Sequence, residues 1–192
     1  MLADISASHT NGNSDDSPTT TANLLEKAEA YLIKQDPRLQ TLISQHHCHL
    51  FSPQGLEEQI DPFRSLTSGI MAQQVSGAAA KSIQGKFVAL FNEGVEDASE
   101  HAYPTPEQVV KCDIPKLRSA GLSQRKAEYI QGLAEKFVSG ELTAKMLVEA
   151  DDEEVLEKLV AVRGLGRWSV EMFACFGLKR MDIFSTGDLG VQ

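Results

Sequence analysis

Apolar residues recur every three to four positions along most of the chain, starting near residue 24. In the stretch 155–160, for example, Leu156, Leu159 and Val160 fall on one face of a helix. Glycine and proline are sparse, with 14 and 7 residues, and they stand mostly between the periodic stretches. A period near 3.6 residues in most segments predicts an all-α fold.

Helix boundaries are predicted from capping residues placed beside these periodic stretches. The predicted N-terminal caps are Asn23, Asp61, Thr105 and Ser123, with a proline directly after Asp61 and Thr105. Gly140 and Gly177 are predicted to end helices. The first 21 residues are rich in serine, threonine, asparagine and aspartate, so we expect a disordered tail at 1–21 and one helical domain over 22–192.

Residues 155–178 predict two helices joined by a tight turn. Gly164 and Gly166, separated by one apolar residue, break the first helix and leave backbone N–H groups free at the start of the second. Such amides form an anion site, and Arg163 and Arg167 add positive charge beside them. The segment is therefore interpreted as a phosphate grip. The alternative is an ordinary turn between two core helices, because Gly-x-Gly is a common sequence.

Charge limits the class of partner. The net charge of −9 speaks against a general nucleic-acid binder. Basic residues nevertheless dominate the stretch 111–126, where Asp113 is the single acidic residue, and Lys179 and Arg180 follow the hairpin. Acidic residues gather elsewhere, as in 93–100 and 149–157. This segregation permits a local DNA-facing surface, with plain surface charge as the alternative.

Two motifs resemble those of one enzyme family. Val162-Arg-Gly-Leu-Gly-Arg-Trp168-Ser, followed by Phe184-Ser-Thr-Gly-Asp188, resembles the helix-hairpin-helix (HhH-GPD) DNA glycosylases. The similarity is greatest to the alkylation-repair branch, the fungal type of 3-methyladenine DNA glycosylase. A second block around Gln73-Gln74-Val75-Ser76 is also similar, and the resemblance covers about residues 24–192. It implies two helical lobes with a cleft for DNA and the damaged base between them.

The resemblance also implies roles for individual residues. Asp188 corresponds to the catalytic carboxylate, although Thr-Gly-Asp-Leu also suits a helix cap. Gln74 corresponds to the residue that fills the gap left by a flipped nucleotide, with a polar helix end as the alternative. Trp168 corresponds to a wall of the base pocket, or else it packs the hairpin helices together. The hairpin residues Arg163, Gly164, Gly166 and Arg167 correspond to the DNA backbone grip.

The implied activity is excision of alkylated purines from double-stranded DNA, leaving an abasic site. Related enzymes that also nick the strand hold a lysine where this chain has Trp168, so a monofunctional hydrolase is expected. We expect no cofactor and no metal, although His46, His47, Cys48 and His49 are weighed as a metal group and set aside. The three cysteines are widely spaced, which disfavours a disulfide framework. A monomer in the nucleus, with no membrane segment or secretion signal, is expected.

Two rival interpretations stay open: a non-catalytic helix-hairpin-helix DNA-binding module, and an inactive fragment. The segment 184–188 distinguishes an enzyme from the first rival, because a module that only binds DNA does not need the residues that carry Asp188. In the family, the helix that opens at the catalytic aspartate continues and further helices complete a lobe. We therefore expect the second lobe to be incomplete in this sequence. We expect no stable helix over Asp188–Gln192, and weak or absent activity for this chain.

Overall fold

The computed structural model describes residues 17–190; most of the predicted tail, residues 1–16, and the last two residues lie outside this range. Within it all regular structure is helical and no strand occurs, which confirms the all-α prediction. None of the helices in the described range is long and apolar enough to cross a membrane. The chain clusters into two compact units that divide between Glu57 and Glu58.

In the described part of the first unit, short helices alternate with turns. They are α1 (Leu24–Gln35), α2 (Leu39–Gln45), a 3-10 turn (His49–Phe51) and α3 (Pro53–Glu57). Asn23 is the N-cap residue of α1, as predicted, but its side chain makes no capping hydrogen bond to the helix. The Asn23 side-chain oxygen accepts instead from the backbone amide of Thr20, at 2.8 Å, on the side away from the helix.

The second unit contains eight helices among its described residues. They are α4 (Pro62–Ala72), α5 (Gly77–Ala89), α6 (Pro106–Lys111), α7 (Ile114–Ser119), α8 (Gln124–Ser139), α9 (Ala144–Glu149), α10 (Asp152–Val160) and α11 (Arg167–Met172). A 3-10 turn (Ala98–Glu100) precedes α6, and a π-helical turn (Phe173–Gly177) continues α11. Each helix buries one apolar stripe, so the tertiary packing rather than helix propensity holds these short elements.

Helix α8 lies at the centre of the second unit and packs against α4, α6 and α7. Its inward face is made of Ala127, Ile130, Leu133 and Ala134, all fully buried. Removing one leucine-sized side chain from water stabilises the fold by about 1.5–3 kcal/mol. Helix α8 also contacts the turn after α4, through Lys126, and the turn before α11, through Tyr129. The position of α8 therefore determines the positions of these two turns.

The predicted helix boundaries of the second unit are mostly confirmed. Asp61 accepts from the Arg64 amide, Ser123 accepts from the Lys126 amide, and Thr105 forms a reciprocal capping box with Gln108. Gly140 ends α8 with a left-handed φ of 80°. These contacts satisfy backbone groups that a helix end leaves free.

The helix predicted from Arg167 to about Gly177 is present, but its last turn widens into the π form. The helical segment ends at Gly177, as predicted, but Gly177 is not the left-handed residue at this end. That conformation belongs to Lys179, with φ of 57°. Gly177 is instead required by packing, because a Cβ there would come within 2.7 Å of the Phe173 ring.

Candidate DNA-binding hairpin and base cleft

The hairpin between α10 and α11 contains two glycines in different situations. Gly164 adopts φ of 97°, and its backbone lies so close to the Tyr129 ring that a Cβ would collide with it. Gly166 has extended backbone, and no atom lies within 4 Å of where its Cβ would be. The fold therefore requires glycine at the first position but not at the second.

Gly166 is the N-cap of α11 and carries no side chain to bond the first amides of the helix. Among residues 17–190, no acceptor contacts the backbone amides of Arg167 or Trp168, and both residues are exposed. Unsatisfied N–H groups at a helix start attract anions. The turn thus has the backbone geometry of the predicted phosphate grip.

The two hairpin arginines are not isolated charges. Arg163 lies over the Tyr129 ring, 5.5 Å from its centroid, and its guanidinium is 3.9 Å from Glu128. Arg167 pairs with Glu171 at 2.9 Å, one turn along α11. Both arginine side chains are about three-quarters exposed, at 75% and 73%. Exposed pairs contribute little stability, so either guanidinium can exchange its carboxylate for a phosphate.

The predicted turn at Gln74 joins α4 to α5, and Ser76 caps α5 through the Ala79 amide. Gln74 itself adopts a left-handed φ of 57°, which is uncommon outside glycine. Its neighbour Gln73 donates from Nε2 to the carbonyl of Gly164, at 2.9 Å. This bond joins the glutamine turn directly to the hairpin, and no sequence pattern pointed to it.

Lys126 holds the same turn from the other side. Its Nζ donates to the carbonyl of Met71 at 2.9 Å and to that of Gln73 at 2.6 Å. Burial lowers the pKa of the Lys126 ammonium from its ordinary value. The sequence placed Lys126 within a basic surface stretch, whereas the structure uses it to bind carbonyls at the end of α4.

A cleft of about 680 Å³ opens between α4 and α11. Its walls are mostly apolar and include Trp168, which is 48% exposed, and its rim includes Gln74. The structure therefore brings together two of the predicted site residues, which stand 94 positions apart in the sequence. The remaining lining residues are Ser65, Leu66, Gly69, Ala72, Gln73, Leu165, Ser169, Met172, Phe173, Phe176 and Gly177. A cleft of this size with few polar groups suits a flat heterocycle.

Asp188 lies in the loop after the π turn, and both its carboxylate oxygens are engaged. Oδ2 accepts from the Trp168 indole Nε1 at 2.7 Å, and Oδ1 accepts from the Gly190 amide at 2.7 Å. No helix begins at Asp188 within the described residues. The carboxylate is thus attached to the side chain that forms one wall of the cleft.

A second contact fixes the Asp188 loop, and sequence reasoning missed it. Ser185 is buried, and its hydroxyl hydrogen-bonds a carboxylate oxygen of Glu171. Trp168 and Glu171 are three residues apart on α11, and their partners Asp188 and Ser185 are three residues apart in the loop. Residues three apart share one helix face, so this face of α11 holds the loop at two points.

The basic surface predicted around the hairpin is largely occupied by internal partners. Lys116 pairs with Glu93 at 2.7 Å, and Lys179 pairs with Glu58 at 3.0 Å. Arg180 donates to the carbonyl of Val148 at 3.1 Å and also contacts Asp152 and the carbonyl of Ala150. Arg125 keeps an exposed side chain with no hydrogen bond or ion pair among the described residues. Charge counts along the sequence do not reveal such pairing.

Thiols and metal-binding side chains are not part of this site. The three cysteines, Cys48, Cys112 and Cys175, form no disulfide within the described residues, and burial raises the pKa of the Cys112 thiol. In residues 17–190 no group of three or more histidine, cysteine or acidic side chains is arranged to hold a metal ion. The candidate functional groups of the site are therefore Asp188, Trp168 and the two turns.

Comparison with known proteins identifies the family of the chain. Residues 67–192 match the family described as HhH-GPD superfamily base excision DNA repair protein. DNA-3-methyladenine glycosylase 1 of Schizosaccharomyces pombe is 31% identical over 169 residues, which are 88% of this chain and 70% of that protein. DNA-3-methyladenine glycosylase of Saccharomyces cerevisiae is 35% identical over 169 residues. That match covers 84% of this chain and 55% of the yeast protein.

The fold has solved counterparts as well. The solved structure of a 3-methyladenine DNA glycosylase of S. pombe, in complex with abasic DNA, superposes with a TM-score of 0.64 at 27% identity. The superposition covers 85% of this chain and 75% of that one. The chain therefore belongs to the HhH-GPD superfamily of base excision DNA repair proteins, which confirms the family predicted from its sequence.

Proposed function

We propose that the chain is a monofunctional DNA glycosylase that excises alkylated purines, of the 3-methyladenine and 7-methylguanine type, and leaves an abasic site. One observation carries the proposal: the Asp188 carboxylate is hydrogen-bonded to Trp168, which lines an apolar cleft of about 680 Å³. The names of the yeast relatives support the substrate class. The proposed partner is double-stranded DNA, bound by a monomer in the nucleus.

A base can enter the cleft only after its nucleotide has flipped out of the DNA stack. This flipping costs a few kcal/mol. Gln74, held in its left-handed turn at the rim, is proposed to occupy the vacated space. The free amides of Arg167 and Trp168 are proposed to hold a backbone phosphate, with Arg163 and Arg167 adding charge. Gln73 links these two elements through its bond to Gly164.

Asp188 is proposed to act on the sugar. As the N-glycosidic bond lengthens, positive charge grows on the sugar ring, and a fixed carboxylate stabilises it. Water then forms the new bond to C1′, its proton passes to the carboxylate or to solvent, and the bonding pair leaves with the base. Holding both oxygens of Asp188 in the ground state favours such a role, because the charge need not reorient during the reaction.

Trp168 is proposed to have two functions. Its indole N–H positions Asp188, while its ring faces the cleft, where a cationic alkylated purine gains cation–π attraction. An alkylated purine is already a good leaving group, so the site needs no separate general acid. No lysine stands at this position to form a Schiff base, so strand cleavage is not expected.

The experiment that tests this proposal is the release of free purines from methylated duplex DNA. The products are separated by chromatography, and strand breaks are scored before and after alkali. The proposal predicts free 3-methyladenine or 7-methylguanine and breaks that appear only after alkali. Binding to abasic DNA without release from any methylated duplex would favour the rival, a non-catalytic helix-hairpin-helix module.

A further inference from the structure

We propose that Lys126 is a positioning residue: it fixes the Gln73–Gln74 turn against the hairpin, so that the two DNA-contacting elements behave as one rigid unit. This inference rests on the proposed function, since it assigns a purpose to the turn that carries Gln74. Lys126 itself is not proposed to touch DNA or the reacting atoms.

The first observation is where the ammonium group of Lys126 lies. Its Nζ bonds the carbonyls of Met71 and Gln73, at 2.9 and 2.6 Å, which are among the groups that the C-terminus of α4 leaves unpaired. Within residues 17–190 no carboxylate pairs with it. A cation at a helix C-terminus also interacts favourably with the helix dipole. The group is therefore committed to the backbone of the turn.

The second observation is the link from the turn to the hairpin. The carbonyl of Gln73 accepts from Lys126, while the side chain of Gln73 donates to the carbonyl of Gly164, at 2.9 Å. A displacement of the Gln73 backbone would move its side chain, so it would also weaken the contact with Gly164. One residue thus transmits the position of α4 to the hairpin.

The third observation is that the hairpin rests on the same helix. Gly164 packs against the ring of Tyr129, and Tyr129 follows Lys126 by three residues on α8. Residues at this spacing lie on one helical face. Helix α8 therefore supports the glutamine turn through Lys126 and the hairpin through Tyr129.

The fourth observation is the strained conformation of Gln74, with φ of 57°. A left-handed non-glycine residue persists only where its surroundings fix it. The bonds from Lys126 to the carbonyls just before Gln74 provide that constraint. Without them we expect the turn to relax and Gln74 to leave the position required to fill the DNA stack.

The test compares Lys126→Met, which keeps the length of the side chain, with Arg125→Met in the complete chain. Arg125 is the adjacent cation in the sequence, and its exposed side chain has no partner within residues 17–190. Binding is measured to an undamaged duplex and to a duplex containing an abasic-site analogue with 2-aminopurine beside it. The fluorescence of 2-aminopurine reports how the neighbouring stack is opened and filled, and melting curves report the folded fraction.

For Lys126→Met we expect affinity for the abasic duplex to fall about tenfold, together with the 2-aminopurine response. Affinity for the undamaged duplex and its salt dependence should stay unchanged. Arg125→Met should lower affinity for both duplexes equally and make its salt dependence shallower, since phosphate contacts carry no information about the damaged site. In a Gln74→Ala background, Lys126→Met should have almost no further effect on abasic-site binding, because both changes disable the same turn.

Three results would overturn the inference. One is a Lys126→Met protein with unaltered preference for the abasic duplex. Another is a reduced salt slope like that of Arg125→Met, which would make Lys126 a phosphate contact. The third is that Lys126→Met lowers abasic-duplex affinity by the same factor in the Gln74→Ala background as in the wild type. A wild-type chain that shows no preference for the abasic duplex would instead contradict the proposed function, and this inference would fall with it.

Discussion

The hairpin and the Asp188 loop are held in different ways. The hairpin is anchored by packing: Val162 and Leu165 are buried, and Gly164 lies against Tyr129. The Asp188 loop is anchored mostly by polar side chains, since Ser185 is its buried residue while Phe184 is 75% exposed and Leu189 is 88% exposed. Packing distributes the constraint over many contacts, whereas the loop depends on a few hydrogen bonds.

This difference matches the two functions proposed for the regions, phosphate binding by the hairpin and catalysis by the loop. A phosphate grip needs fixed backbone amides, which a packed turn provides. A catalytic carboxylate needs fixed direction and charge, and hydrogen bonds from Trp168 and Gly190 provide these without surrounding it with apolar atoms. Burial in an apolar environment would raise the pKa of a carboxyl group and favour its neutral form. Substitutions should therefore affect stability in the hairpin and excision in the loop.

Gly164→Ala should have the largest effect on stability. Alanine would have to adopt φ of 97° and displace the Tyr129 ring, at a combined cost of about 3 kcal/mol. Gly166→Ala is the matched control, because its backbone is extended and the space around it is open. Its stability should change by less than about 1 kcal/mol. Denaturant unfolding of both variants checks this, and equal destabilisation would show that Gly164 is not specially constrained.

The contrast between the two regions also explains which structural features could be predicted from the sequence. Helix periods, the caps at Asp61, Thr105 and Ser123, and the glycine turn depend on residues a few positions apart, so they were predictable. Asn23 occupies the predicted cap position, but its side chain accepts from the Thr20 amide and not from the helix, which the local pattern does not reveal. Which glycine the fold requires depends on Tyr129, and no local pattern reports that contact.

The candidate site was predictable only in part. The family resemblance identified Gln74, Trp168 and Asp188. In the structure Gln74 and Trp168 line one cleft, and the Trp168 indole donates a hydrogen bond to Asp188. The supporting bonds were not found, because Gln73–Gly164 and Lys126–Met71 join residues 91 and 55 positions apart. The pairing of Arg167 with Glu171 was also missed, since an i, i+4 spacing permits an ion pair without requiring one.

Glu171→Gln should reduce excision without unfolding the protein. The amide keeps the size of the side chain but removes the charge that accepts from both Ser185 and Arg167, so one of the two contacts that fix the Asp188 loop becomes weaker. We expect the single-turnover excision rate to fall on the order of tenfold, with unchanged affinity for abasic DNA. Glu157→Gln, an exposed change on α10, is the control. A wild-type excision rate in Glu171→Gln would show that the contact between Ser185 and Glu171 does not position Asp188.

Trp168→Phe should have a somewhat smaller effect. It keeps an aromatic wall in the cleft and removes the N–H that bonds Asp188. Loss of one hydrogen bond to a charged group corresponds to about 1.5–3 kcal/mol at most, and an exposed bond to less. We expect a several-fold lower excision rate and an unchanged preference for cationic over neutral damaged bases. If that preference collapses while the rate holds, the indole N–H has no positioning role.

Arg167→Gln should have the smallest effect, because Glu171 already neutralises this guanidinium in the absence of DNA. If Arg167 exchanges that partner for a phosphate, the slope of log affinity against log salt should become shallower by about 0.9. Titrations at several salt concentrations measure it, with Lys145→Gln on the exposed part of α9 as a control. A slope equal to that of the wild type would leave Arg167 as a partner of Glu171 alone.

The most direct test of the central claim is the single-turnover release of 7-methylguanine by Asp188→Asn, measured beside its affinity for abasic DNA. Asparagine preserves the size of the side chain and can still accept from Trp168, but it carries no charge. The account predicts a loss of rate on the order of 100-fold or more, with abasic-DNA affinity essentially retained. Release at the wild-type rate would contradict it, because the carboxylate would then have no catalytic function.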